Sequence, residues 1–270
     1  MEELKGKLLE MFKWFHEFCK EHQLRYYAIG GTMLGAVRHQ GFIPWDDDID
    51  VGMPRDDYER LEDEMKKLSG GKYVLETPNS SKRDFLYPFS KIYDTSTTVV
   101  EHTKYRIKRG VYIDVFPLDG IGNSYDECKA NYFCVKKQYD FLLARVSGVR
   151  KGRSLYKNLA VVALRLIPNF LLNDKKIQMK LVDMCKKYKF SDCEWCGNLV
   201  GAWGMREIMP KEIFGEPVLY SFETIKIYGA ADADGYLSHV YGDWRRLPPE
   251  KKQVTHHDFV MCDLYRSYLS

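Results

Sequence analysis

Aspartate is depleted in β-strands, yet Asp46-Asp47-Asp48-Ile49-Asp50-Val51-Gly52-Met53 places acids where the pattern is otherwise Ile-x-Val-x-Met. Read as a strand ending at Pro54, the segment sets Asp48 and Asp50 on one face and Ile49, Val51 and Met53 on the other, towards a core. Two carboxylates held side by side are the donor set of a hard divalent cation, Mg²⁺ or Mn²⁺. A second anomaly is Asp114, alone among the β-branched and aromatic residues of Val111-Tyr112-Ile113-Asp114-Val115-Phe116. By itself Asp114 reads equally as a structural carboxylate at a strand end. With Asp48 and Asp50 it completes a three-carboxylate site of the kind that acts on phosphate oxygens through magnesium.

Gly30-Gly31-Thr32 stands where a short strand over residues 26–29 gives way to a helical turn over residues 32–38. Glycine there lets backbone N–H groups approach a phosphate at the positive end of a helix. Between Asp46 and Glu64 the chain carries ten acidic residues against Arg55 and Arg60, a local charge of −8. The later acids, Asp56, Asp57, Glu59, Glu62, Asp63 and Glu64, are read as a solvated helix face. Asp56 with Glu59 resembles a capping box for that helix, whose buried stripe is Tyr58, Leu61, Met65 and Leu68.

The elements that must carry these residues follow from periodicity. An amphipathic helix opens the chain, with Leu4, Leu8, Met11, Phe12, Phe15 and Cys19 on one face. Strands are expected at residues 85–93, 97–101 and 110–116, then mostly helix from 124 to 188, a strand at 224–228 and a helix at 233–241. The fold class is α+β, with a mixed sheet carried by residues 25–120. The expected division is a catalytic core over 1–120, including the N-terminal helix, and a mostly helical acceptor-binding part over 121–270.

The 270 residues suffice for a substantial core, and 45% apolar, 29% charged and 14% aromatic residues exclude collagen-like and wholly disordered readings. A count of 41 basic against 38 acidic residues, net +3, is too balanced to imply a nucleic-acid partner. Seven cysteines without framework spacing, and no continuous apolar run at the start, favour reduced thiols and a cytoplasmic address. Cys193-x-x-Cys196 with Cys185 upstream suggests zinc, but without an evident fourth ligand packed free thiols are the preferred reading.

The stretch from Ala28 through His39, Ala-Ile-Gly-Gly-Thr-Met-Leu-Gly-Ala-Val-Arg-His, followed by residues 41–53, Gly-Phe-Ile-Pro-Trp-Asp-Asp-Asp-Ile-Asp-Val-Gly-Met, resembles the core motif of the LicD family. Residues 112–119, Tyr-Ile-Asp-Val-Phe-Pro-Leu-Asp, resemble its second block. Tyr241-Gly242-Asp243-Trp244, with Pro248-Pro249 and His256-His257, resembles its C-terminal block. The resemblance implies a nucleotidyltransferase-like mixed sheet flanked by helices. It also implies transfer of phosphocholine from CDP-choline to a sugar hydroxyl of a bacterial surface glycan, of teichoic acid or lipopolysaccharide type, or of its lipid-linked precursor, with release of CMP. The family's paired aspartates match Asp48 and Asp50, its third carboxylate matches Asp114, and its turn matches Gly30-Gly31-Thr32. Asp114 is then either the acceptor of the hydroxyl proton or a third metal ligand.

Arg38 and Lys91 are the candidates for the phosphates that a cation leaves uncovered. Choline's quaternary ammonium needs aromatic faces, with Trp45 the first candidate and Tyr87, Tyr112, Trp203 and Trp244 behind it. His256 and His257 are candidates for phosphate binding, a second cation or proton transfer. Seven basic residues against one acid between Lys136 and Lys157, directly before an apolar run over 155–172, read first as a basic helix surface followed by a core helix, and alternatively as peripheral contact with the inner face of an anionic membrane. Two other readings stay open: a nucleotidyltransferase attaching CMP or AMP, and a catalytically silent glycan- or lipid-binding protein.

Overall fold

The computed structural model describes residues 1–68, 70–101, 105, 107–146, 155–255 and 259–270, and the fold is α+β. Helix α1 (Glu2–Glu21) buries Leu8, Met11, Phe12, Phe15 and Cys19, the stripe its periodicity predicts. Strand β1 (Tyr27–Ala28) leads directly into α2 (Gly30–His39), and β2 (Asp50–Pro54) into α3 (Arg55–Lys67). Next come β3 (Tyr73–Glu76), β4 (Ser90–Asp94), β5 (Thr98–Glu101), β6 (Lys108–Arg109) and the long β7 (Tyr112–Gly122). Helices α4 (Tyr125–Val146), α5 (Leu155–Leu166) and α6 (Asp174–Cys185) occupy the stretch expected to be helical. The chain continues through β8 (Trp195–Gly197), β9 (Ile208–Pro210), α7 (Lys211–Phe214), the β10 (Val218–Phe222) and β11 (Ile225–Gly229) hairpin, α8 (Ala233–Tyr241) and β12 (Phe259–Asp263).

A seven-stranded sheet runs β1-β2-β7-β4-β3, with β8 on β7 and β9 on β8. Only β2 and β7 pair in parallel, so the sheet is mixed. Its central strands carry Val51, Met53, Ile92, Ile113 and Val115 into one large core, joined by Ile49 just before β2, all fully buried. The sheet reaches past residue 120 because β7 continues to Gly122 and recruits β8.

Five expectations need correction. Leu68, expected in the buried stripe of α3, is exposed at the end of that helix, and only Tyr58, Leu61 and Met65 of the stripe are buried. Asp48 lies in the irregular segment before β2, which begins at Asp50. The capping box does not form: Pro54 occupies the cap of α3 in an extended conformation and no side chain closes the helix end. Asp57 is not a solvated acid, since it is buried and bonded by Arg25 Nε at 2.8 Å and Arg60 Nη1 at 3.1 Å. Regular strand begins at Ser90 rather than 85, because Pro88 cannot donate to a ladder. Phe85, Leu86 and Phe89 are nonetheless buried.

Candidate active site

Asp50 and Asp114 face each other as register partners across the single parallel pair of the sheet. The Asp114 N–H donates to the Ile49 carbonyl at 3.0 Å, which fixes that register. Asp50 is clamped through its own backbone: its N–H donates to Thr32 Oγ1 at 2.8 Å and its carbonyl accepts from the Ile29 N–H at 3.1 Å. Thr32 thus ties the first turn of α2 to the first residue of β2.

The glycine turn is packed against the acids. Gly30 has φ +53°, a conformation that L side chains rarely adopt, and its N–H donates to the Tyr236 hydroxyl at 2.8 Å. A Cβ on Gly30 would lie 3.5 Å from Asp50 Oδ2 and 4.0 Å from the Tyr241 hydroxyl; one on Gly31 would collide with the Asp46 carboxylate. The positive end of α2 therefore faces Asp46 and Asp50.

Crowding has an electrostatic consequence. Burial pushes the Asp50 carboxyl well above the usual carboxylate range, and the charges of Asp48, Asp114, Asp46 and Glu207 push the same way. Asp47 is buried, with its Oδ2 accepting from Thr255 Oγ1 at 2.7 Å, which brings the C-terminal segment to the acidic loop. His256 and His257 lie outside the described residues.

Lys91, expected near phosphate, is almost fully buried with Nζ 2.8 Å from Asp114 Oδ1 and 3.8 Å from Glu101. Its ammonium sits over the Tyr112 ring, 3.4 Å from the centroid, and 4.5 Å from that of Tyr87. Both tyrosine hydroxyls donate to Glu101. Arg38 is half-buried, and desolvation lowers its guanidinium from its ordinary value. Its Nη1 donates to the Trp244 carbonyl at 2.9 Å and its Nε to His39 Nε2 at 3.0 Å, joining α2 to the Tyr241–Trp244 block. Trp45 is half-buried, edge-on to His39 at 6.5 Å.

Several residues around Asp50 were not anticipated as a group. Tyr236 and Tyr241 come from α8, and Trp203 packs edge to face on Tyr241 at 4.8 Å. Burial holds the Tyr241 phenol well above its ordinary value, and Tyr236, Asp46, Asp50 and Glu207 push the same way. Glu207 accepts from the Trp203 N–H at 2.8 Å, and burial pushes its carboxyl up to about 7. In the sequence Trp203 is one aromatic among many, and no spacing ties it or Glu207 to the acidic loop.

The donors fit a hard cation in kind: partly exposed carboxylate oxygens crowded enough to disfavour ionisation of Asp50. Among the described residues, however, no three His, Cys, Asp or Glu side chains close around one point, and Asp114 is engaged by Lys91. Asp48 and Asp50 would be the residues to hold such an ion were one bound. The same statement applies to zinc: Cys185, Cys193 and Cys196 are buried free thiols.

Residues 23–143 match the family profile "LicD/FKTN/FKRP, nucleotidyltransferase domain". The chain is 33% identical over 253 residues, 92% of each protein, to the lipopolysaccharide cholinephosphotransferase LicD of Haemophilus influenzae. It is 30% identical over 140 residues to an uncharacterised protein of Rickettsia prowazekii, covering 43% of this chain and 52% of that one. Over 53 residues, 20% of this chain and 10% of the relative, it is 40% identical to the ribitol 5-phosphate transferase FKRP of Homo sapiens. A profile that covers the glycine turn, the acidic loop and Asp114, together with likeness along nearly the whole length of a relative, settles the family: the chain belongs to the LicD family of phosphotransferases.

Proposed function

We propose that the chain transfers phosphocholine from CDP-choline to a sugar hydroxyl of a bacterial surface glycan, of lipopolysaccharide or teichoic acid type or its lipid-linked precursor. The acceptor oxygen bonds to the phosphorus that bears choline, the bond from that phosphorus to the CMP oxygen breaks, and CMP leaves with the electron pair. The observation that carries this reading is the register of Asp50 with Asp114 beside the α2 N-terminus, in a chain 33% identical over 92% of its length to a cholinephosphotransferase.

Asp48 and Asp50 would hold Mg²⁺ or Mn²⁺, which neutralises charge on the diphosphate when bound. Asp114 accepts the hydroxyl proton, and Lys91, 2.8 Å from its Oδ1, keeps it oriented. The half-exposed Trp203, backed by Tyr241, offers a face to the quaternary ammonium beside the site, and Trp45 offers another. No helix among the described residues is long and apolar enough to cross a membrane.

The test is incubation with CDP-choline, Mg²⁺ and candidate lipid-linked glycans, with released nucleotide and choline compounds quantified. CMP release with choline on the glycan is the expected result. Free phosphocholine with CMP on the acceptor would instead make the chain a nucleotidyltransferase, and Asp48→Asn retaining full activity would remove the metal assignment.

A further inference from the structure

Six large apolar side chains, Tyr156, Leu159, Val162, Leu166, Phe170 and Leu171, are exposed within sixteen consecutive residues. The first four fall three or four apart along α5 and so form one outward stripe, while Val161 is buried. Soluble proteins seldom leave so continuous an apolar strip open to water. We infer that this face of α5 and the turn after it is a membrane-docking surface for an anionic lipid bilayer.

The strip is a built feature. Arg145, fully buried on α4, spends its guanidinium on the carbonyls of Leu164, Ile167 and Leu172 and on Asp174 Oδ1 at 2.6 Å. Within the turn, the N–H groups of Leu171 and Leu172 donate to the Pro168 carbonyl at 3.0 and 3.1 Å, and Asn169 Oδ1 accepts from the Asp174 N–H at 2.8 Å. These bonds hold the backbone inward while Phe170 and Leu171, 84% and 69% exposed, project outward.

Charge selects the occupant. Between residues 146 and 173 the sequence has five basic residues, Arg150, Lys151, Arg153, Lys157 and Arg165, and no acid. As sequence, so basic and acid-free a stretch is repelled by a second copy of itself and attracted by anionic headgroups, and Arg165 is the described member of it on α5 itself. Apolar side chains beside Lys and Arg make an interfacial helix, and α5, at 12 residues, is too short to span. Arg145, counted with these basic residues in the sequence reading, belongs to the interior. This inference goes beyond the proposed reaction and is tested without any transfer assay.

The experiment is co-sedimentation of the full chain with vesicles of phosphatidylcholine alone or with phosphatidylglycerol, at low and high salt, beside analytical ultracentrifugation without lipid. Binding to the anionic vesicles that weakens with salt is expected. The variant Leu166→Ser/Phe170→Ser/Leu171→Ser should bind at least about tenfold more weakly, since affinity scales with the apolar area inserted, with unchanged near-ultraviolet circular dichroism. Arg165→Glu should weaken binding to anionic vesicles alone. No binding at low salt, equal binding by the triple variant, or a dimer that this variant disperses would each overturn the inference.

Discussion

The Lys91 ammonium rests 2.8 Å from Asp114 Oδ1 and 3.4 Å from the centre of the Tyr112 ring, almost wholly shielded from water. A basic residue on a central strand is costly unless paired, and here the pairing is double, with carboxylate on one side and aromatic face on the other. Because Lys91 on β4 lies in register with Asp114 on β7, the ladder itself holds the two together. The candidate proton acceptor is thus positioned from beneath by a fixed charge.

Replacing Lys91 by Met keeps the stem and deletes the charge. The loss of one partner from a buried pair costs about 3 kcal/mol, read as a lowered urea midpoint at constant slope. Activity should fall at least about tenfold. The double variant Lys91→Met/Asp114→Asn should recover part of the stability and none of the activity, because the carboxylate that lost the Lys91 ammonium is gone but so is the proton acceptor. A double variant no more stable than Lys91→Met would show that the pair is not coupled.

Asp50→Asn should separate stability from function. In chelator the variant loses a carboxylate that burial and three neighbouring aspartates disfavour, so its thermal midpoint should rise above that of the natural chain. Added Mg²⁺ should raise the midpoint of the natural chain and leave the variant nearly unmoved. Transfer should drop by about a hundredfold or more. A natural chain indifferent to Mg²⁺ in the melting experiment would argue against a cation at Asp50.

What could be read in the sequence was what depends on local spacing. Alternation predicted the buried faces of Ile49, Val51 and Met53, and the aspartates that broke strand propensity do gather beside α2. The 233–241 helix was also legible, its Asp232 side chain capping the Gly235 N–H. What escaped depends on partners far along the chain. Asp57 and Arg145 read as surface charges because Arg25 and Asp174, which bury them, stand 32 and 29 residues away. Tyr236 meets Gly30 across 206 residues, a contact that no periodicity encodes. The β10–β11 hairpin turns through Glu223 at φ +51° with neither glycine nor asparagine to announce it.

Glu207 predicts a pH dependence. Its folded carboxyl is pushed up to about 7 from an ordinary 4.5, so its contribution to stability is fully present below pH 4.5 and lost as pH rises through 7. The upward shift corresponds to about 3 kcal/mol at most. Glu207→Gln keeps an acceptor for the Trp203 N–H and removes the titration. Measured by urea unfolding, the variant should gain on the natural chain between pH 5 and pH 8; parallel profiles over that range would place the Glu207 titration elsewhere.

Arg145→Met tests whether the turn after α5 is held from inside. Asp174 would keep the Tyr105 hydroxyl, at 2.9 Å, but lose its buried cation, and three carbonyls would lose their donor. Breaking such a pair costs about 3–5 kcal/mol. Asp174→Asn added to Arg145→Met should restore some of it by removing the buried carboxylate that lost the Arg145 guanidinium. Because Arg145 is wholly buried and holds backbone rather than meeting solvent, hydrogen exchange in Arg145→Met should accelerate first at the amides of Leu171, Leu172 and Asp174. Uniform acceleration across the sheet would mean that Arg145 stabilises the whole fold and has no special hold on this turn.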